Sequence, residues 1–309
     1  MCSSDLDNDE PGKEAAKECA SLLSPGKAKI ATLPLKDANE MLVAGRGADV
    51  IKAFWEARDY RPDGVINAKD IRQRLKDRPP VDSIQYPFPT LQTMTRGCRT
   101  GELVLFTAGS GVGKTEITRQ IVHHFHKNGE TIGILALEET VERTALGLVG
   151  LELGRRVHLD DDASSSPEVL AAADSLFGSG RVYLYDHFGS LESDVLLSRI
   201  RYMAVGCGCK TILLDHLSIV VSGSEIDDER KALDVIMTKL ASLATELKVR
   251  LLVVAHLKRV DRVCHTEGGQ ISLNHLRGSA SLEQLSFVIV GFERNQQDKE
   301  KSNFTTVRL

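Results

Sequence analysis

A chain of 309 residues leaves room for one complete α/β core of roughly 200 to 250 residues plus extensions too short to form an equal partner. With 42% hydrophobic and 27% charged residues the chain can bury a core, which excludes wholesale disorder. The net charge of −4 excludes a global basic field, so contact with any polyanion falls to local loops.

No apolar run approaches the roughly 18 residues that cross a bilayer. The opening MCSSDLDNDEPGK is acidic and lacks an apolar signal stretch. A soluble, cytoplasmic protein without a membrane partner is expected, in the host cytoplasm if the source is viral. Cysteines at 2, 19, 98, 207, 209 and 264 show no paired C-x-x-C spacing that would surround a zinc ion, and Cys207 and Cys209 read as small buried residues.

Residues 1–60 read as a piece of an α/β unit: a loop DNDEPG, a helix KEAAKECASLL, a turn SPG, a short strand AKIATLP and a helix from Asp37. Residues 61–98, with RPDG, DRPP and YPFP, read as a linker carrying one amphipathic helix over 67–77. Asn67 is placed to cap it. Ile66, Ile71 and Leu75 form a stripe too thin to bury itself, which predicts packing on a second copy or on the core. Residues 99–309 then alternate apolar runs with helical segments. The runs are ELVLFTA, TIGILAL, RVYLYD, TILLDHLSIVV, RLLVVAHL and FVIVGFER, and a long helix is predicted over 228–247. That alternation is the signature of buried parallel strands joined by helical crossovers, hence a doubly wound, mostly parallel α/β sheet.

The strongest motif is AGSGVGKT at 108–115, following a strand and opening a helix. Gly109, Gly111 and Gly113, with Ser110 and Val112 between them, let the backbone turn its N–H groups inward to cradle phosphates. Lys114 then reaches the β and γ oxygens, and Thr115 offers its hydroxyl to Mg²⁺. Ala108 stands where the strict pattern has glycine.

Asp215, closing the run ILLD, is placed to order Mg²⁺ from a neighbouring strand. The run TIGILALEET ends in two carboxylates. Glu138 is the expected activator of the attacking water and Glu139 the reserve, either of which could instead cap the helix VERTALGLVG. His256 closes RLLVVAH, where an imidazole at the same sheet edge could feel the γ-phosphate.

The segments GELVLFTAGSGVGKT, ILALEETVERTA, ILLDHLSIVVSG, DDERKALDVIMTKL, VVAHLKR, LNHLRGSASLEQLS and FERNQQ resemble the helicase half of the bifunctional primase-helicases of phages and of the related mitochondrial helicase Twinkle, over nearly all of 60–309. DNDEPGKEAA resembles the second acidic motif of a TOPRIM primase domain, with Asp7 and Asp9 in metal-binding positions, and LPLKDANEML resembles that domain's end. The resemblance implies a RecA-like P-loop NTPase core, ATP or dTTP with Mg²⁺, and a homo-hexameric or heptameric ring that moves 5′ to 3′ on single-stranded DNA, with a replicative DNA polymerase as a further partner. It implies that Gln284 couples nucleotide state to DNA and that Arg294 contacts nucleotide. It also places Lys258, Arg262 and Arg277 in channel-lining DNA loops, consistent with glycine-bearing basic stretches suited to a phosphate backbone.

The chain departs from the family pattern in three ways. The family's arginine finger falls beyond Leu309, so slow hydrolysis is expected of an isolated ring. The TOPRIM piece lacks its upstream glutamate and zinc module, so primer synthesis is not expected. Glu283 stands where relatives often carry a basic residue. The competing functions are a RecA-like recombinase or KaiC-like regulatory ATPase, and a ring member that only binds nucleotide.

Overall fold

A computed structural model describes residues 6–62, 65–109, 111–160, 162, 166–187, 191–222, 229–257, 269–276, 281–298 and 304–309. The chain divides into two compact units, 1–80 and 81–309.

In the second unit the apolar runs become the strands of a seven-stranded sheet: β1 (Leu103–Ala108), β2 (Ile132–Ala136), β3 (Val182–Leu184), β4 (Thr211–Asp215), β5 (Arg250–His256), β6 (Val288–Glu293) and β7 (Thr306–Arg308). Their order across the sheet is β7-β6-β1-β5-β4-β2-β3. Every neighbouring pair from β6 to β3 is parallel, and only β7, on the edge, runs antiparallel to β6.

The helices of this unit are α1 (Lys114–Lys127), α2 (Val141–Leu153), α3 (Pro167–Phe177), α4 (Ser193–Val205), α5 (Leu217–Ser222), α6 (Glu229–Leu247) and α7 (Ser281–Leu285). Successive strand residues face opposite sides, so both sides of a wholly apolar strand need a cover. Along β1, Leu103 and Leu105 pack with Leu196 and Ile200 of α4 and Met237 and Leu240 of α6, while Val104 and Phe106 pack with Ile121, Val122 and Phe125 of α1. The doubly wound expectation is met, and every residue of β1 and β4 is buried.

Two local readings are corrected. The run TILLDHLSIVV is not one strand: β4 ends at Asp215 and α5 begins at Leu217, so the β-branched residues that suggested a strand lie in a helix. Helix α3, opened by Ser166 and Pro167, has no counterpart among the predicted elements. Its Val169, Ala172 and Leu176 form a satellite core with Val149 and Val157.

The first unit has helices Glu10–Ser21, Ala38–Val43, Gly47–Trp55 and Ala68–Lys76, and a two-residue ladder pairing Lys29–Ile30 with Arg58–Asp59. Among its described residues, only Ala20 and Met41 are buried hydrophobics. Asp9 caps the first helix by accepting from the Gly12 N–H at 2.9 Å, and Asp7 pairs with Lys36 at 3.2 Å. Ile66, Ile71 and Leu75 are exposed. Among the described residues no helix is long and apolar enough to cross a membrane.

At the opposite end of β5 from His256, Arg250 is wholly buried. Its guanidinium donates to the Cys98 carbonyl at 2.9 Å, to Glu130 at 3.0 Å and to Asp82 at 2.7 Å, with Lys210 also on Asp82 at 2.9 Å. This fan ties residue 82, at the start of the unit, to the middle of the sheet. Burial pushes the Glu130 carboxyl up, with Arg250 opposing, whereas Lys210 first and Arg250 next hold Asp82 down. Both effects make Arg250 worth most when the carboxylates are charged. Arg250→Met is therefore expected to lower stability by about 3 kcal/mol near neutrality, because it strands a buried carboxylate. The deficit, measured by urea unfolding across pH, shrinks as pH falls through the carboxylate range.

Candidate nucleotide site

The parallel arrangement decides where the polar residues meet. All six parallel strands end on one sheet edge, and the register sets Ala108 of β1 beside His256 of β5, and Ala136 of β2 beside Asp215 of β4. The residues that follow those tips therefore share one rim, as open α/β sheets arrange their ligand crevices.

Residues 109–113 turn from β1 into α1. Gly111 and Gly113 have φ of 73° and 105°, the left-handed region that disfavours a Cβ. Gly113 sits at the N-cap of α1, so the helix opens with its unsatisfied N–H groups toward the rim. Lys114 folds back into the loop, its ammonium donating to the carbonyls of Ala108 and Gly109, both at 3.1 Å. It is buried, and burial pulls its pKa down while the charges of Asp215 and Glu138 pull it up.

Asp215 is 6% exposed. Burial drives its carboxyl up, against a hydrogen bond from the Thr115 hydroxyl and the field of His216. A buried carboxylate touching a hydroxyl at a helix start is an oxygen-only donor set that suits Mg²⁺. A left-handed glycine turn with a buried ammonium beneath it likewise suits a polyphosphate. Thr115, Glu138, Glu139, Thr140, Arg143 and Asp215 line a cleft of about 660 Å³ at this rim.

The two adjacent carboxylates are in different situations. Glu139 receives a hydrogen bond from the Arg119 guanidinium at 2.6 Å, lies 3.6 Å from Arg143 and accepts from the Thr144 hydroxyl at 3.4 Å. Arg119 reaches it through the space left by Gly147, where a Cβ would sit 2.6 Å from the guanidinium carbon. Neither acid caps α2, because Thr140 holds that position and accepts from the Arg143 N–H. Glu138 has a half-exposed side chain and meets the imidazole of His216, Nε2 to Oε1, at 2.7 Å. The ring of His216 in turn packs edge-on against His256, with centroids 4.1 Å apart.

The structure thus brings together Gly109, Gly111, Val112, Gly113, Lys114, Thr115, Asp215, Glu138 and His256. Gln284 stands exposed on α7 and is not part of the cleft wall. Arg294 directly follows β6 at the same edge. Ser110, Lys258, Arg262 and Arg277 lie outside the described residues.

Two residues escaped the sequence reading. His216 was hidden behind the more conspicuous Asp215, although a histidine directly after an acid at a strand tip was the available signal. Gln296, in the ERNQQ segment, donates to the Gly111 carbonyl at 2.7 Å and so brings that segment to the phosphate loop.

A family model described as the DnaB-like helicase C-terminal domain matches residues 83–308. The chain belongs to this family. It is 39% identical over 314 residues to the DNA helicase/primase of Enterobacteria phage T3, covering 98% of this chain and 55% of that protein. It is 25% identical over 266 residues to the replicative DNA helicase DnaC of Bacillus subtilis (strain 168), covering 83% of this chain and 57% of that protein. The chain therefore spans little more than half the length of the curated relatives it matches. Among solved structures, a DnaB-like replicative helicase, described together with its interactions with primase, superposes with a TM-score of 0.60 at 18% identity, over 87% of this chain and 67% of that one, which shows a common fold.

Lys114→Ala is expected to weaken nucleotide binding by at least about tenfold, the scale of one lost charge-assisted contact. Titration with a fluorescent nucleotide analogue checks this, and circular dichroism should show the fold retained.

Proposed function

We propose that this chain is the NTP-hydrolysing motor of a replicative DNA helicase, moving 5′ to 3′ on single-stranded DNA as part of a homo-hexameric or heptameric ring. The observation that carries this reading is the rim where Lys114, Thr115, Asp215, Glu138 and His256 converge, within a chain of the DnaB-like family.

In this reading the glycine loop and Lys114 hold the β and γ phosphates of ATP or dTTP. Thr115 and Asp215 hold Mg²⁺, which when bound neutralises charge on the phosphate oxygens. Glu138 takes a proton from the attacking water as the water oxygen bonds to the γ-phosphorus and the bond to the β,γ-bridging oxygen breaks. Glu138 is favoured over Glu139 because the latter is engaged by the buried Arg119 guanidinium, with Thr144 and Arg143 beside it. His256, at the tip of β5, reads the γ-phosphate, and Arg294 contacts nucleotide.

Gln284 relays the nucleotide state to the DNA loops, in which Lys258, Arg262 and Arg277 track the phosphate backbone. The exposed stripe of Ile66, Ile71 and Leu75 supports a helix that packs on the neighbouring copy of the ring. Residues 1–60 are read as the tail of a TOPRIM primase domain, 61–98 as the linker and 99–309 as the motor. A replicative DNA polymerase is the expected further partner.

The test is strand separation on a forked duplex with ATP or dTTP. The chain should unwind it, slowly as expected of a ring of this segment alone, and Lys114→Ala should abolish unwinding. Glu138→Gln should lower DNA-stimulated turnover by about 100-fold or more, the upper range of a general-base contribution. DNA-stimulated hydrolysis without any unwinding overturns the helicase reading in favour of a RecA-like or KaiC-like ATPase, and unchanged turnover in Glu138→Gln overturns the choice of base.

A further inference from the structure

Glu138 lies two residues beyond the end of β2, on a half-exposed segment, with a side chain of three rotatable bonds. A carboxylate that must meet a water at one point in space has to be held there, and a misplacement of about 1 Å can cost on the order of 100-fold in rate. Among the described residues the side-chain contact that fixes it is His216, whose Nε2 lies 2.7 Å from Oε1. In the tautomer that protonates Nε2 the imidazole donates to Oε1, which leaves Oε2 to receive the proton of the attacking water.

His216 is well suited to act as a fixed point. It is 5% exposed and directly follows Asp215, whose own place is set by pairing with β2 and by the Leu137 N–H donating to its carbonyl at 2.7 Å. Its ring stands at 77° to that of His256, edge against face. One potential ligand atom from each of Glu138, His216 and His256 lies within 4.8 Å of the others. The buried imidazole therefore touches two groups with separate assigned tasks, the water-activating carboxylate and the histidine at the γ-phosphate side.

We propose that His216 is a positioning residue for hydrolysis: it fixes the Glu138 carboxylate toward the attacking water and joins it mechanically to His256. A displacement of His256 when phosphate departs then moves the base as well, so that base and phosphate reader occupy their working positions together. This rests on the assignment of Glu138 as the base.

The experiment compares two polar substitutions of different reach. A glutamine amide nitrogen falls near the position of the histidine Nε2, whereas an asparagine amide stops short of it. In DNA-stimulated turnover, His216→Gln should keep kcat within about threefold of the parent, and His216→Asn should lose at least about tenfold, with KM for ATP within about twofold in both. In a Glu138→Gln background, the Gln and Asn substitutions at 216 should differ by less than about twofold, because the donor has no carboxylate to orient.

Equal kcat in the two variants, or a loss confined to KM, overturns the proposal. If the shorter side chain prevents folding, His216→Gln decides alone: a fall of more than about tenfold in a variant that still binds a fluorescent nucleotide analogue contradicts a role that a reach-matched donor fills. The two readings fail separately. Unchanged turnover in Glu138→Gln removes the base assignment, whereas an inactive Glu138→Gln beside a fully active His216→Asn removes only the role of His216.

Discussion

The constraint on which the site depends is the burial of two opposite charges at one sheet edge. Lys114 is held inside the loop by two backbone carbonyls, and Asp215 sits at a strand tip against the Thr115 hydroxyl. Burial pushes each toward its neutral form, Lys114 down and Asp215 up. Such a pair costs stability unless it is matched by groups of the right charge. A polyphosphate above the ammonium and a divalent cation beside the carboxylate supply that match, so the features that strain the chain alone are the ones that favour its ligand.

The fold makes this arrangement unavoidable once the strands are parallel. Crossover helices return each chain segment to the same side, so β1, β2, β4 and β5 all end on one edge. The strand interiors are mostly apolar, with the buried Thr107 hydroxyl satisfied by the Ala255 carbonyl, and Asp215 and His256 close their strands at the rim. Arg250 shows the same rule at the opposite end of β5, where a charge is admitted only with Cys98, Glu130 and Asp82 around it. Glu139 shows it within the site: both glutamates line the cleft, but Glu139 is paired with Arg119 while Glu138 extends a long side chain held by His216.

Much of this was legible in the residues. The strands were readable because runs such as LVLFTA and ILLD are apolar on both faces, and the phosphate loop because glycine spacing, lysine and the following helix occur in the required order. What escaped depended on tertiary context. SIVVS carries strand-forming residues, yet it packs as helix α5 with Leu217 and Val220 in the core, a case of burial overriding propensity. Helix α3 was missed although Ser166 and Pro167 mark its start. Glu138 and Glu139 are indistinguishable by position in the sequence. Their surroundings differ in the fold: Arg119, admitted by the missing side chain at Gly147, meets Glu139, and His216 meets Glu138. His216 and Gln296 are single polar residues whose partners lie 78 and 185 positions away, so local pattern could at most mark His216 as following an acid at a strand tip and could not name either partner.

The most direct measurement is the structure of the assembled protein with a non-hydrolysable nucleoside triphosphate and Mg²⁺. The account predicts that the Lys114 ammonium leaves the Ala108 and Gly109 carbonyls for the β and γ oxygens, and that Thr115 and Asp215 gather around the metal at the same rim. A triphosphate bound with Lys114 still turned into its own loop, or a metal distant from Asp215, contradicts it.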